Sequence, residues 1–156
     1  MRGPYREQLE RVRRWYDRFA AITRGRPHDV VSENYIDDVY AFFLNCYHLK
    51  DWIRNDSSLP STVQDDCEIW INNSRSLRIC ADLCNSHKHL VLAKKPRSNE
   101  MPVFGEAHFG MSIGPGLPAA INLRFDVDTT SGREDAFELA TDCLAAWKGF
   151  LTKHCL

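Results

Sequence analysis

No run of this sequence is apolar for long enough to cross a bilayer, which argues against a membrane-spanning helix. The first twenty residues are rich in Arg and Glu, not uniformly apolar, so they do not read as a secretory signal. A cytoplasmic protein is expected. There is no C-x-x-C pair among the six cysteines. Cys46, Cys67, Cys80, Cys84, Cys143 and Cys155 fall mostly at apolar positions of helical patterns, and read as small buried hydrophobes in a reducing compartment, without a disulfide. No Gly-rich loop follows a strand to cradle nucleotide phosphates, and G-x-S-x-G is absent. So are H-E-x-x-H and the paired E-x-x-H motifs of a di-iron bundle. No cofactor is expected, and neither an internal repeat nor a low-complexity tract is present.

What remains is an ordinary globular composition, 44% hydrophobic and 26% charged over 156 residues, read as one domain spanning 1–156. The net charge of -1 hides an asymmetry, because residues 1–27 hold eight arginines against three acids. A basic end of this kind can attract phosphate or an acidic partner protein, although a solvated helix face has the same composition.

The periodicity predicts helices over about Tyr5 to Ile22 and Glu33 to Asn55. Ser61-Thr-Val-Gln64 has capping-box spacing and opens a third helix near Thr62, which either runs to about Leu92, the favoured reading, with a kink at Asn72-Asn-Ser74, or pauses there. The period then switches from helical to alternating. Val103 to Ile113 and Ile121 to Val127 read as an antiparallel hairpin, inserted at about 103–128 and turned at Gly114 to Pro118. A second capping box, Ser131 to Glu134, opens a last helix from about Arg133 to Leu151. The expected fold is mainly α: an antiparallel four-helix bundle with a two-stranded hairpin between the third and fourth helices.

The candidate site lies on the segment Arg75 to His89. Read as a helix, it places Arg75, Arg78, Asp82, Asn85 and His89 along one stripe. A second polar group, His48, Asp51 and Asn55, shares one side of the second helix and can face the stripe in a common pocket. Cys80, Cys84 and His87 share another side and offer thiolate and imidazole to a metal. Cys84 as a nucleophile beside His87 and Lys88 is a further option, disfavoured by its place inside a helix.

The run Cys84-Asn-Ser-His-Lys-His89, preceded by Asp82, resembles the HEPN superfamily (higher eukaryotes and prokaryotes nucleotide-binding), whose ribonucleases carry R-x(4–6)-H late in a helical bundle. Asn85 and His89 match that motif, and Cys84 stands where the family has Arg. The resemblance implies an RNA-binding protein or metal-independent ribonuclease, of a defence or toxin–antitoxin type, working as a homodimer. His89 would then be the acid or base, Asn85 and Asp82 its companions with His48 and Asp51 nearby, and Arg78, Lys88 and Arg75 the phosphate-binding cations. The alternatives are a non-catalytic helical dimerisation module and a small Cys/His metal-binding bundle.

Overall fold

The computed structural model describes residues 3–89 and 95–156, together with their side chains except those at 87–89. Among these residues, five helices and four strands follow one another along the chain. Helix α1, Pro4–Arg24, opens with proline at a position where a missing N–H costs nothing. It stops at Gly25, whose φ of 109° is open to glycine. Two residues, Arg26–Pro27, then form strand β1. Helix α2, Ser32–Arg54, buries Val39, Phe42, Phe43, Cys46, Leu49 and Ile53 and touches all four other helices.

The expected long third helix is two helices. Helix α3, Ser61–Asn73, ends at Ser74, which adopts an extended conformation (φ -107°, ψ 116°). The Ser74 carbonyl then accepts the first bond of helix α4, Arg75–His89, from the Arg78 N–H at 3.0 Å. The chain breaks at the last of the three poor helix formers instead of kinking: Ser74 leaves helical geometry, and its hydroxyl accepts from the Leu77 N–H at 3.4 Å in the first turn of α4.

The sheet corrects the expected hairpin. Strands β2, Val103–Ser112, and β3, Ala120–Thr129, do pair antiparallel, but β1 and β4, Gly132–Asp135, both add to the other edge of β3. Among the described residues the chain is therefore five helices plus a four-stranded antiparallel sheet, whose strands β2, β3 and β4 follow the fourth helix while β1 follows the first, and not a four-helix bundle with an inserted hairpin. Helix α5, Ala136–Lys153, starts later than expected because Asp135, not Ser131, is the N-cap, accepting from Phe137 N at 2.8 Å and Glu138 N at 3.0 Å. Residues 129–132 instead make a tight turn, with Thr129 Oγ1 donating to the Gly132 carbonyl at 2.9 Å.

One face of β3 (Ile121, Leu123, Phe125, Val127) is buried against α1 and α5, where Phe104 stacks on Phe125 at 5.4 Å. At the bundle's centre Trp147 is fully buried and donates its indole N–H to the Cys46 carbonyl at 3.1 Å. Replacing Trp147 by Ala removes both the ring and that donor. Chemical denaturation should show a loss of about 3–5 kcal/mol, in the usual range for a large buried aromatic.

Candidate functional site

Three surfaces compete for the role of a site: the polar stripe of α4, the outer face of the sheet, and the basic face of α1. On α4, the stripe faces the connector that leads into β2 more than it faces solvent. Arg75 is gripped by two carboxylates. Its Nε and Nη2 reach Glu100 at 2.9 and 2.8 Å, and Nη2 also reaches Glu134 at 2.9 Å. Glu134 and Glu100 push its pKa further up, while Arg75 holds the Glu100 carboxyl below the ordinary range. Asp82 is 2% exposed. Its oxygens accept from the backbone N–H groups of Arg97 and Ser98, each at 2.7 Å, and from the Ser98 hydroxyl at 2.6 Å. Three donors take up most of the roughly four acceptor positions of a carboxylate. Arg97 completes the seam through Asn72 at 2.8 Å and through Glu68. Arg78 is half-buried, with its Nε buried and lacking a hydrogen-bond partner among the described residues, and Asn85 is half-buried. The side chains of His89, Lys88 and His87 lie outside the described residues, so the geometry carries no statement about them.

The structure does not bring the second cluster to this stripe. His48, Asp51 and Asn55 are exposed on α2, where Asn55 Nδ2 caps the helix end by donating to the Asp51 carbonyl at 2.7 Å. The side of α2 that meets α4 is marked by Phe43, whose carbonyl accepts from the Cys80 thiol at 3.3 Å and the Cys84 thiol at 3.1 Å. His48 is two residues past Cys46, about 200° around the helix, and so faces away from that contact. No hydrogen bond or ion pair joins His48 or Asp51 to Asp82 or Asn85 among the described residues.

The thiols group differently from the expected Cys80, Cys84 and His87. The sulfurs of Cys46, Cys80 and Cys143, from α2, α4 and α5, all lie within 4.8 Å of one another and are fully buried. Burial pushes Cys80 and Cys143 well up, whereas the Cys143 and Cys80 thiols and the Trp147 indole draw Cys46 down. Cys84 is buried in the core.

On the outer face of the sheet, the ladder sets His108 opposite Arg124. His108 Nε2 lies 2.8 Å from Asp126 Oδ2, and Arg133 and Arg124 approach the same carboxylate at 3.7 and 3.8 Å. Beside them a cleft of about 530 Å³ is lined by Thr23, Arg124, Arg133, Glu134, Asp135 and Glu138. A buried carboxylate orienting an imidazole is a general-base geometry. The sequence alone does not show it: alternation along β3 puts Arg124 and Asp126 on one face, but the partner His108 depends on a register shifted by a bulge between Phe104 and Ala107. Acids outnumber cations here, which disfavours a polyanionic ligand.

The face of α1 has the opposite sign. Arg11, Arg14, Trp15, Asp17 and Arg18 line an open cleft of about 500 Å³. The Arg18 guanidinium sits 4.8 Å over the Trp15 ring, and that of Arg11 sits 5.4 Å over Trp52. Glu7 pairs with Arg11 at 3.0 Å and Asp38 with Arg18 at 3.9 Å, while Arg14 is exposed with no ion pair among the described residues.

Two outcomes test this assignment of roles. Replacing Asp82 by Ala strands the buried N–H groups of the connector, and should cost about 2 kcal/mol or more in thermal or urea unfolding. The carboxyl of Glu100, held down in the folded state, gains its proton more readily when the chain unfolds. Its contribution is therefore present above the ordinary Glu range, about pH 4, and is lost as pH falls below it. Arg75→Ala should flatten that part of the acid-unfolding profile. Comparison with protein-family models, curated proteins and solved structures returns no match for this chain.

Proposed function

We propose that this protein binds single-stranded RNA through the exposed face of α1, with Arg11, Arg14 and Arg18 on the phosphates and Trp15 as a stacking platform. The observation that carries the reading is the spacing. Positions 11, 14, 15 and 18 fall on one helical stripe, and that stripe sets three guanidiniums beside one indole around an open cleft. Cations that track a backbone, beside an aromatic ring on which bases stack, are the recurring chemistry of sequence-tolerant single-strand binding. The local excess of arginine supports it, since eight of the arginines fall within residues 1–27. RNA stays as the partner in this reading, but the phosphate contacts move away from Arg75, whose guanidinium is already shared by two carboxylates.

A second reading, an interaction module that dimerises, is favoured by one feature. Met111, Ile113 and Leu117, at the far end of the hairpin, are 60%, 78% and 71% exposed, next to an edge of β2 that pairs with no other strand among the described residues. A long edge strand with exposed apolar side chains is a template for strand addition by a second copy.

The test is titration of a fluorescent single-stranded RNA at low and moderate salt. Arg14→Ala should weaken binding and reduce the salt slope by about one. Trp15→Ala should cost about 1–3 kcal/mol with the slope unchanged, and Arg75→Ala should leave affinity intact. The same RNA incubated in EDTA, wild type beside His89→Ala, reads out cleavage separately from binding. Absence of binding by the wild type at low salt overturns the proposal. In that case a concentration-dependent dimer, dispersed by Ile113→Asp in sedimentation, would support the second reading.

A further inference from the structure

Three helices deliver one thiol each to a single point in the core. Cys46, Cys80 and Cys143 are each fully buried, and their sulfurs lie within 4.8 Å of one another. Among the described residues no carboxylate or imidazole joins them, so the group is a three-sulfur set with no fourth ligand of that kind. Metal–sulfur bonds of about 2.3 Å place the sulfurs of a planar trigonal site about 4 Å apart, and those of a pyramidal centre with a lone pair about 3.5 Å apart. Closing around a pyramidal centre therefore asks for a contraction of at most about 1.3 Å, shared among three side chains.

The surroundings then choose among thiophilic centres. Structural zinc prefers four ligands, and with three thiolates it leaves a buried net charge of -1. Cuprous ion accepts three sulfurs but leaves -2. Uncompensated charge inside an apolar core is strongly disfavoured. A trivalent metalloid avoids both difficulties, because it takes three sulfurs and leaves no charge.

We propose that Cys46, Cys80 and Cys143 form a neutral three-sulfur site for a trivalent thiophilic metalloid, with arsenite as its probe. In the binding step As(OH)₃ and three thiols give As(SR)₃ and three waters. Three As–O bonds break, three As–S bonds form, and each thiol proton leaves with a hydroxide as water. Arsenic stays trivalent and no sulfur is oxidised. The step releases no net protons, whereas zinc or cuprous ion would displace one proton for each thiol that ionises. Since all three sulfurs are enclosed, loading requires the bundle to open, and uptake should be slow and accelerated by mild denaturant. The site is separate from the α1 face, so RNA binding and metalloid binding stand or fall independently.

The experiment loads reduced wild-type protein with arsenite, dialyses it and counts bound arsenic. Expected are one arsenic per chain, an X-ray absorption signature of three sulfur neighbours with no oxygen, a raised melting temperature, and no proton release in unbuffered solution. Cys143→Ala and Cys46→Ala should lose the bound arsenic, whereas Cys67→Ala, Cys84→Ala and Cys155→Ala should keep it. The absorption measurement uses the wild type alone, so it decides even where a core substitution fails to fold. No bound arsenic, fewer than three sulfurs, loss of binding in Cys155→Ala or Cys84→Ala, or preferential uptake of zinc with proton release would each overturn the proposal.

Discussion

Everything in this fold depends on α2 being enclosed. A helix that touches α1, α3, α4 and α5 must be apolar around most of its circumference, and from Tyr35 to Ile53 it is. Enclosure also sets side-chain size. Neighbouring helices come close only where the residues between them are small, and interaxial distance follows the side chains at the contact. Where α2, α4 and α5 converge, the chain supplies the small residues Cys46, Cys80 and Cys143, all fully buried. The thiol cluster is thus first a packing solution, one that brings three sulfurs to one place as a consequence. What little of α2 remains free goes to solvent, and that strip carries His48 and Asp51.

Local signals were legible in the sequence and long-range ones were not. The hairpin strands announced themselves through strict alternation in β3, and the spans of α1 and α2 follow their apolar stripes to within two residues of the expected ends. The break at Ser74 was visible as three poor helix formers, but whether the helix bends or stops depends on what α3 and α4 pack against. Strands β1 and β4 are too short to show a period at all, being two and four residues long. The last helix was placed too early for a related reason. Ser131 to Glu134 and Asp135 to Glu138 offer the same spacing, and only the pairing of β4 with β3 decides between them.

The α4 stripe shows why candidate sites are harder to read than strands. Two arginines, a carboxylate, an amide and an imidazole at helical spacing look alike whether they bind a ligand or fasten a loop. What distinguishes the cases is the partner, and here the partners of Asp82 and Arg75 are Ser98, Glu100 and Glu134, up to 59 residues away. The basic end, by contrast, was legible as composition, because nothing distant is needed to make eight arginines in 27 residues positive.

The two populations of arginine differ physically in how firmly they are held. Arg75 shares its guanidinium between Glu100 and Glu134, whose side chains are only 12% and 26% exposed and are themselves fixed by the fold. To bind a phosphate it would have to leave two placed carboxylates in a partly desolvated seam. Arg11 pairs with Glu7, whose side chain is 65% exposed, one turn away on the same helix, and also donates to Gln8 and lies over Trp52. The exposed Arg14, with no ion pair among the described residues, is freer still, and the Arg11 ion pair itself is worth about 0–1 kcal/mol. Arg18 is held no more tightly, since Asp38 stays 3.9 Å away and burial raises the pKa of that carboxyl against the pull of Arg18. Charge-assisted contacts to a nucleic-acid backbone also release condensed counterions, a gain that the internal pairs do not offer. The arginines free to exchange partners therefore lie on α1, around Trp15, and the arginine on the motif helix that stays bound is the one at its first turn.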